Sequence, residues 1–261
     1  MTGLELVASH PDNLSTSLVG GLYRYQGTHD VVDNNYICFG TDNTSTCTSD
    51  TDHYMYRIIG INSSGQIKVI KKEALNTLYP WADGEISAPL WPNSSLYSEI
   101  NGSAYLSNTN YVPTSGVNWQ DKIATISWKH GNASSYIYNG DTYYNTYTGW
   151  NDAVNAKISL MYPHDYIYAY GVNNPASEIE AVNAWIDLNW NDNNSTDEWT
   201  NTRESYGDCV LFVCSGRISY AEGPTLGTIA GNVSTRPVFY LESTATITGS
   251  GTISHPYIIS N

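Results

Sequence analysis

The chain is poor in charge. Only 14% of its 261 residues are Asp, Glu, Lys or Arg, against roughly 25% in ordinary soluble domains. Basic residues are the scarcest, with 11 Lys+Arg against 25 Asp+Glu and a net charge of −14. A chain this acidic lacks the basic face that neutralises phosphates and releases counterions, which excludes nucleic acid as a partner. It also lacks the polybasic patch that holds proteins to anionic membranes. No stretch approaches the ~18 consecutive apolar residues of a membrane span, so direct membrane insertion is not expected. Met1–Leu6 does not read as a signal peptide. If the protein is secreted, an export or prepilin-like anchoring segment is expected to have preceded Met1.

The common catalytic and metal motifs are missing as well. His10, His29, His53, His130, His164 and His255 are scattered, with no His-x-x-x-His or His-Glu-x-x-His arrangement. The Gly-x-Ser-x-Gly elbow and the phosphate-binding Gly-x-x-x-x-Gly-Lys loop are absent. No Cys-x-x-Cys pair occurs, so a structural zinc is not expected. His164 and Asp165 are set among Met161, Tyr162, Tyr166 and Tyr168, where a histidine reads as a hydrogen-bonded core residue rather than half of an acid–base dyad. No catalytic residue is assigned, and the protein is read as a non-enzyme. One enzymatic alternative stays open, a secreted glycan-active enzyme, because paired carboxylates for glycoside hydrolysis leave no fixed sequence spacing.

Polarity comes instead from Asn, Ser, Thr and Gly together with 22 Tyr and 8 Trp, against only 3 Phe. Tyr and Trp give large contact area at low entropic cost, a composition suited to extracellular recognition surfaces. A hydrophobic content of 41% is enough to bury a core, which excludes disorder. With no linker or repeat in view, the expectation is one extracellular domain over 1–261, with 1–20 as a lead-in and 21–261 as the core. The four cysteines form two local pairs, Cys38 with Cys47 and Cys209 with Cys214. Two loop-closing disulfides are expected; four buried thiols are the alternative.

Strand signals dominate: Gly21–Gln26, Asn35–Gly40, Tyr54–Ile61, Gln66–Ile70, Ala156–Met161, Cys209–Cys214, Arg217–Ala221, Pro237–Leu241 and Tyr257–Ile259. The turn-rich Asn62–Gly65 joins Tyr54–Ile61 and Gln66–Ile70 into a hairpin. Asp165–Tyr170 reads as strand or loop, and Thr41–Asp52 as a loop clipped by its cysteines. Apolar spacing near the helical period predicts helices over Ser94–Leu106, Asn118–Trp128 and Ser177–Leu188, the last with a Ser177/Glu180 capping box. This is an α+β chain, mostly antiparallel strands with two or three helices and long loops.

Two segments are candidate binding sites. Asn189–Glu198 is the densest run of oxygen donors, and Asp192, Asn194, Asp197 and Glu198 are candidate calcium ligands. The alternative is a solvated loop. Tyr136, Tyr138, Tyr143, Tyr144, Tyr147 and Trp150 crowd one Gly-, Asn- and Thr-rich segment whose composition is that of a paratope. They are the candidate ligand surface, and a hairpin with Tyr packed along a sheet is the alternative.

Several segments carry a resemblance. They are Asn35–Gly40 with Cys47, Tyr54–Ile61, Gly65–Leu75, and Ala156–Tyr162 followed by Asp165, Tyr166 and Tyr168. Glu198–Thr200, Arg236–Leu241 and Gly249–Thr252 with Pro256 and Tyr257 complete the set. Together they resemble a family of surface proteins of gut Firmicutes and related bacteria, whose precursors often carry a prepilin-like N-terminal segment. The order hairpin, helix, long loops, helix, Arg-Pro-Val strand is similar to the C-type lectin-like fold. The triplets Trp150–Asp152 and Trp190–Asp192 resemble its calcium motif, while its disulfide arrangement and its Glu-Pro-Asn or Gln-Pro-Asp sugar motifs are missing. The fold resemblance implies that Pro237–Leu241 shares a sheet with the hairpin. The family resemblance implies a cell-surface or pilin-associated domain. Its partner is then a glycan or a host or bacterial surface protein, or further copies in a fibre or homo-oligomer. A phage receptor-binding tip is the other alternative.

Overall fold

A computed structural model describes residues 1–27, 32–82, 89–102, 118–130, 132–133, 152–169, 197–204, 209–214, 217–222 and 233–260. The chain opens with α1 (Gly3–Ala8), β1 (Leu22–Arg24) and β2 (Tyr36–Cys38), then α2 (Thr44–Ser49) and α3 (Thr51–Tyr54). Next come β3 (Met55–Asn62), β4 (Ile67–Lys71) and α4 (Ser95–Ile100), followed by β5 (Ile126–Lys129), β6 (Asn132–Ala133), β7 (Ala153–Ala156) and β8 (Ile158–Ser159). The second half holds α5 (Pro163–Ala169), β9 (Glu198–Glu204), β10 (Cys209–Cys214) and β11 (Arg217–Glu222), and ends in β12 (Val238–Tyr240), β13 (Thr246–Thr248) and β14 (Tyr257–Ser260). The protein is α+β, built mostly of strands with a few short helices.

The eight-stranded main sheet runs β13-β14-β2-β3-β4-β12-β8, with β1 added alongside β3. At its centre, β3 buries all but its last residue, so both faces are covered. The expected hairpin is there: β3 and β4 pair antiparallel, from Tyr56 opposite Lys71 to Ile61 opposite Ile67. Asn62 shapes the turn, its Oδ1 accepting from the amides of Ser64 and Gln66 at 3.0 Å each. β12 pairs antiparallel with β4, Phe239 opposite Val69, so the Arg-Pro-Val strand does share the hairpin's sheet. Phe239 packs at 4.7 Å from Phe39 and 5.3 Å from Tyr56, and Trp119 closes on Phe39 at 5.2 Å. Smaller sheets, β11-β10-β9-β6 and β5-β7, complete the set. Among the described residues, one large cluster of buried apolar residues runs from Leu6 through Trp199 and Val213 to Ile259, and Cys38, Cys47 and Met55 form a second, small one.

The lead-in packs on the hairpin: Leu6 is buried, and α1 presses on the hairpin turn so closely that a Cβ on Gly3 would meet the Gly65 carbonyl oxygen at 2.1 Å. Three local expectations are corrected. Asn118–Trp128 is not a helix but a short 3-10 turn, Trp119–Lys122, followed by β5. Its helical spacing loses to pairing with β7, where the Trp128 indole donates to the Ala156 carbonyl at 3.0 Å. Of the expected strand or loop Asp165–Tyr170, residues 165–169 lie in α5, which starts at Pro163, a residue whose fixed φ suits a first helical position, and Tyr170 lies outside the described residues. Thr41–Asp52 contains α2, capped by the Asn43 side chain, and the start of α3. Ser94–Leu106 is helical over α4, with the Ser94 side chain accepting from the Tyr97 amide. The predicted helix Ser177–Leu188 lies outside the described residues.

Free sheet edges are covered locally. Asn101, just after α4, presents its side-chain amide to β8 as a strand would. Its Oδ1 accepts from the Ile158 amide at 3.1 Å while its Nδ2 donates to the Ile158 carbonyl at 2.9 Å. At the opposite edge the β13 amide of Ile247 donates to the Met1 carbonyl at 2.7 Å.

Lys71 links the sheet to α3. Its Nζ donates to the carbonyls of Asp52 and His53 and lies 5.2 Å from the Tyr56 ring centroid. Burial pushes its ammonium down to about 8 from the usual 10.5. Between those values the unfolded chain holds a proton that the folded chain has released, so stability rises with pH across this window; below it the cost of the buried charge is fully present. Relative to a Lys71→Met variant, the native chain should gain stability in urea melts from pH 8 to pH 9.5. A difference that stays flat over that range would show that Lys71 titrates normally.

Candidate functional site

Asp165 sits at the third position of α5, and its Oδ2 accepts from the Tyr162 amide at 3.0 Å. This is one half of a capping box: the carboxylate satisfies a free N–H and meets the positive end of the helix. The position also aims both oxygens into the core. Oδ1 takes Nη1 of Arg24 from β1 at 2.9 Å, and Oδ2 takes Nζ of Lys68 from β4 at 2.5 Å. All three residues are at most 1% exposed.

Two basic side chains face one carboxylate, and aromatic rings surround them. Lys68 Nζ lies 5.6 Å from the Trp128 centroid, 5.2 Å from Tyr162 and 5.6 Å from Tyr240. Arg24 lies 5.0 Å over Tyr168, and its Nε donates to the Val19 carbonyl at 2.7 Å. Gly20, at φ +56°, lets the chain turn here, where a Cβ would meet the Tyr168 ring at 2.6 Å. Burial pushes the Lys68 ammonium down, and Asp165 opposes this. Burial pushes the Tyr162 and Tyr240 phenols upward, reinforced by the negative charge of Asp165, so both stay protonated at neutral pH.

The same three rings line a cavity. About 240 Å³ lies between β5 and the rings, bounded by Ile126, Ser127, Trp128, Lys129, Tyr162 and Tyr240. That is below the ~300–1,000 Å³ of drug-sized pockets, leaving room for a single ring-sized group. The Tyr162 hydroxyl donates to the Lys129 carbonyl at 2.8 Å, locking wall to strand. Trp128 and Tyr162 are buried, Tyr240 is half-buried, and Ser127 and Lys129 are exposed.

The residues expected to bind fall elsewhere. Tyr136, Tyr138, Tyr143, Tyr144, Tyr147, Trp150, Asp192 and Asn194 lie outside the described residues. Asp197 is exposed, one residue ahead of β9. Glu198 is withdrawn from the calcium set: it is buried, and Nε of Arg236 lies 2.7 and 2.8 Å from its two oxygens. A guanidinium already neutralises the charge that a calcium ion would need. Among the described residues, no three His, Cys, Asp or Glu cluster as a metal site.

Cys38 and Cys47 form the expected disulfide, with Cα atoms 6.0 Å apart. The second expected bridge is corrected. Cys209 and Cys214 are the two ends of β10, five residue steps apart along one extended strand. At ~3.3 Å per step they stand about 16 Å apart, beyond the ~7 Å limit for a bridge.

The sequence drew attention to Asp165 only as the neighbour of His164, and its partners Arg24 and Lys68 and the rings Trp128 and Tyr240 were not singled out. The available signal was a charge inside an apolar run: Lys68 stands between Ile67 and Val69, and Arg24 between Tyr23 and Tyr25. Comparison with protein-family models, curated proteins and solved structures gives no match.

The triad makes a direct prediction. Asp165→Asn keeps the shape but leaves two buried cations without a counter-charge, and should cost about 3–5 kcal/mol in urea denaturation. Lys68→Met leaves one Arg24–Asp165 pair and should cost clearly less. Equal losses, or an Asp165→Asn loss within about 1 kcal/mol of zero, would show that the charge balance does not hold the site together.

Proposed function

We propose that this is a non-enzymatic, ligand-binding domain of a bacterial cell surface, C-type lectin-like in architecture, whose aromatic cavity takes one ring of a glycan. The observation that carries the proposal is the cavity beside Trp128, Tyr162 and Tyr240. Sugar rings present flat C–H faces that stack on such side chains, and the exposed hydroxyl of Ser127 offers a hydrogen bond to a sugar hydroxyl. The walls are fixed before the ligand arrives, Trp128 and Tyr162 through backbone carbonyls and all three rings through Lys68. Preorganisation of this kind reduces the entropy lost on binding. The six described lining residues include no carboxylate or imidazole, and Asp165 behind them is held by two cations. That favours binding over hydrolysis.

The acidic, Tyr- and Trp-rich composition, the Cys38–Cys47 bridge and the family resemblance support the surface location. They equally suit a domain displayed on a fibre. A glycan array combined with a reducing-end release assay tests the reading. A subset of glycans should bind without being cleaved, and Trp128→Ala should reduce that binding at least tenfold. An array with no binder, or cleavage of the bound glycans, would overturn it.

A further inference from the structure

We infer that the sugar taken by this cavity carries an acetamido group, as an N-acetylhexosamine does, and that the peptide N–H and C=O of Ser127 read it; the inference rests on the cavity being a glycan site. The ground is the outer edge of β5. Along an antiparallel pair, residues that exchange backbone hydrogen bonds alternate with residues whose N–H and C=O point away from the partner strand. Trp128 of β5 stands opposite Val154 of β7 and Lys129 opposite Ala153, and one step further the His130 amide donates to the Asp152 carbonyl at 3.1 Å. Ile126, Trp128 and His130 therefore bond across to the β7 side, while Ser127 and Lys129 turn their backbone groups outward. The Lys129 carbonyl gives the direction, because it accepts at 2.8 Å from the hydroxyl of Tyr162, a wall of the cavity. Ser127 also lines the cavity, and among the described residues none bonds to its N–H or its C=O.

The opening is short. Ahead of β5 the Ala124 amide donates to the Tyr240 carbonyl at 2.9 Å, and beyond Ser127 the Tyr162 hydroxyl closes on Lys129. A peptide strand needs a run of open groups along an edge, and these two ties leave it none. They leave one donor and one acceptor, bordered by Ile126 and the rings of Trp128, Tyr162 and Tyr240. An acetamido group suits that mixture. Its carbonyl accepts from the Ser127 N–H, and its methyl meets apolar walls. The hydroxyl on the neighbouring ring carbon donates to the Ser127 C=O. A plain sugar offers only a hydroxyl where the amide carbonyl would be, and it has no methyl to bury. The recognition needs no charge on the ligand.

The test uses matched pairs on the intact chain, N-acetylglucosamine against glucose and N-acetylgalactosamine against galactose, titrated by saturation-transfer NMR. Each acetamido sugar should bind about tenfold more tightly than its plain partner, the scale of one hydrogen bond with one buried methyl. Its acetyl methyl should receive the strongest saturation. Ser127→Ala removes only the hydroxyl and should weaken both members of a pair alike, keeping their ratio. Ser127→Pro removes the outward N–H, a change that edge strands tolerate, and should abolish the preference. If that variant does not fold, the backbone ester made with the α-hydroxy acid of serine at position 127 deletes the same N–H without a ring and should do the same. Plain sugars binding as tightly as acetamido sugars would overturn the inference and leave the glycan site standing, as would a preference that survives loss of the N–H. N-acetylalanine methylamide competing as tightly as the sugars would show that the edge takes a peptide group, and would overturn it too. Silence from all four sugars would overturn both readings together.

Discussion

Asp165 holds together parts of the chain that are far apart in sequence. Its carboxylate binds Arg24 across 141 residues and Lys68 across 97, joining β1, β4 and the first turn of α5. Burying three charges is costly. The arrangement stands because each polar atom has several partners: a helix N–H on the carboxylate, a backbone carbonyl on the guanidinium, and rings around both cations. Remove the carboxylate and the strand, the helix and the cavity wall lose their common anchor.

The same logic accounts for an aromatic content built on Tyr and Trp rather than Phe. Several links between separate segments come from ring donors. Trp128 donates to the carbonyl of Ala156, Trp199 to Tyr79 and Trp81 to Pro89, and the Tyr162 hydroxyl to Lys129. Each ring fills core volume and also fastens one segment to the backbone of another. Phe supplies only the first of these: Phe39 and Phe239 pack against each other in the core, and Phe212 packs on Trp199.

The sequence made the local pairings legible. The Asn62–Gly65 turn left β3 and β4 little choice but to pair, and the apolar run at Pro237–Leu241 marked a strand, whose place in the hairpin's sheet was expected from the fold resemblance alone. Periodicity misled where tertiary pairing outweighed it, as at Trp119–Trp128. At Asp165–Ala169, read as strand or loop, a proline and a capping carboxylate start a helix instead. The expected Cys209–Cys214 bridge failed because spacing gives contour length and not conformation: five steps close a loop easily but span an extended strand. The cavity was illegible for a related reason. Its walls come from β5, the residue before α5 and β12, and no short segment contains more than one of its rings.

The stopper at Asn101 bears on how copies of this protein can assemble. A sheet lengthens from molecule to molecule only where an outer strand offers unmet N–H and C=O groups to a newcomer. The Asn101 amide already meets both groups of Ile158 on one flank, and the Met1 carbonyl meets the Ile247 amide on the other. Donor-strand exchange, in which one subunit lends a strand to the next, therefore finds no vacancy at these two positions of the main sheet. At these two positions a neighbouring copy would meet a side-chain amide and the N-terminal backbone rather than an open ladder.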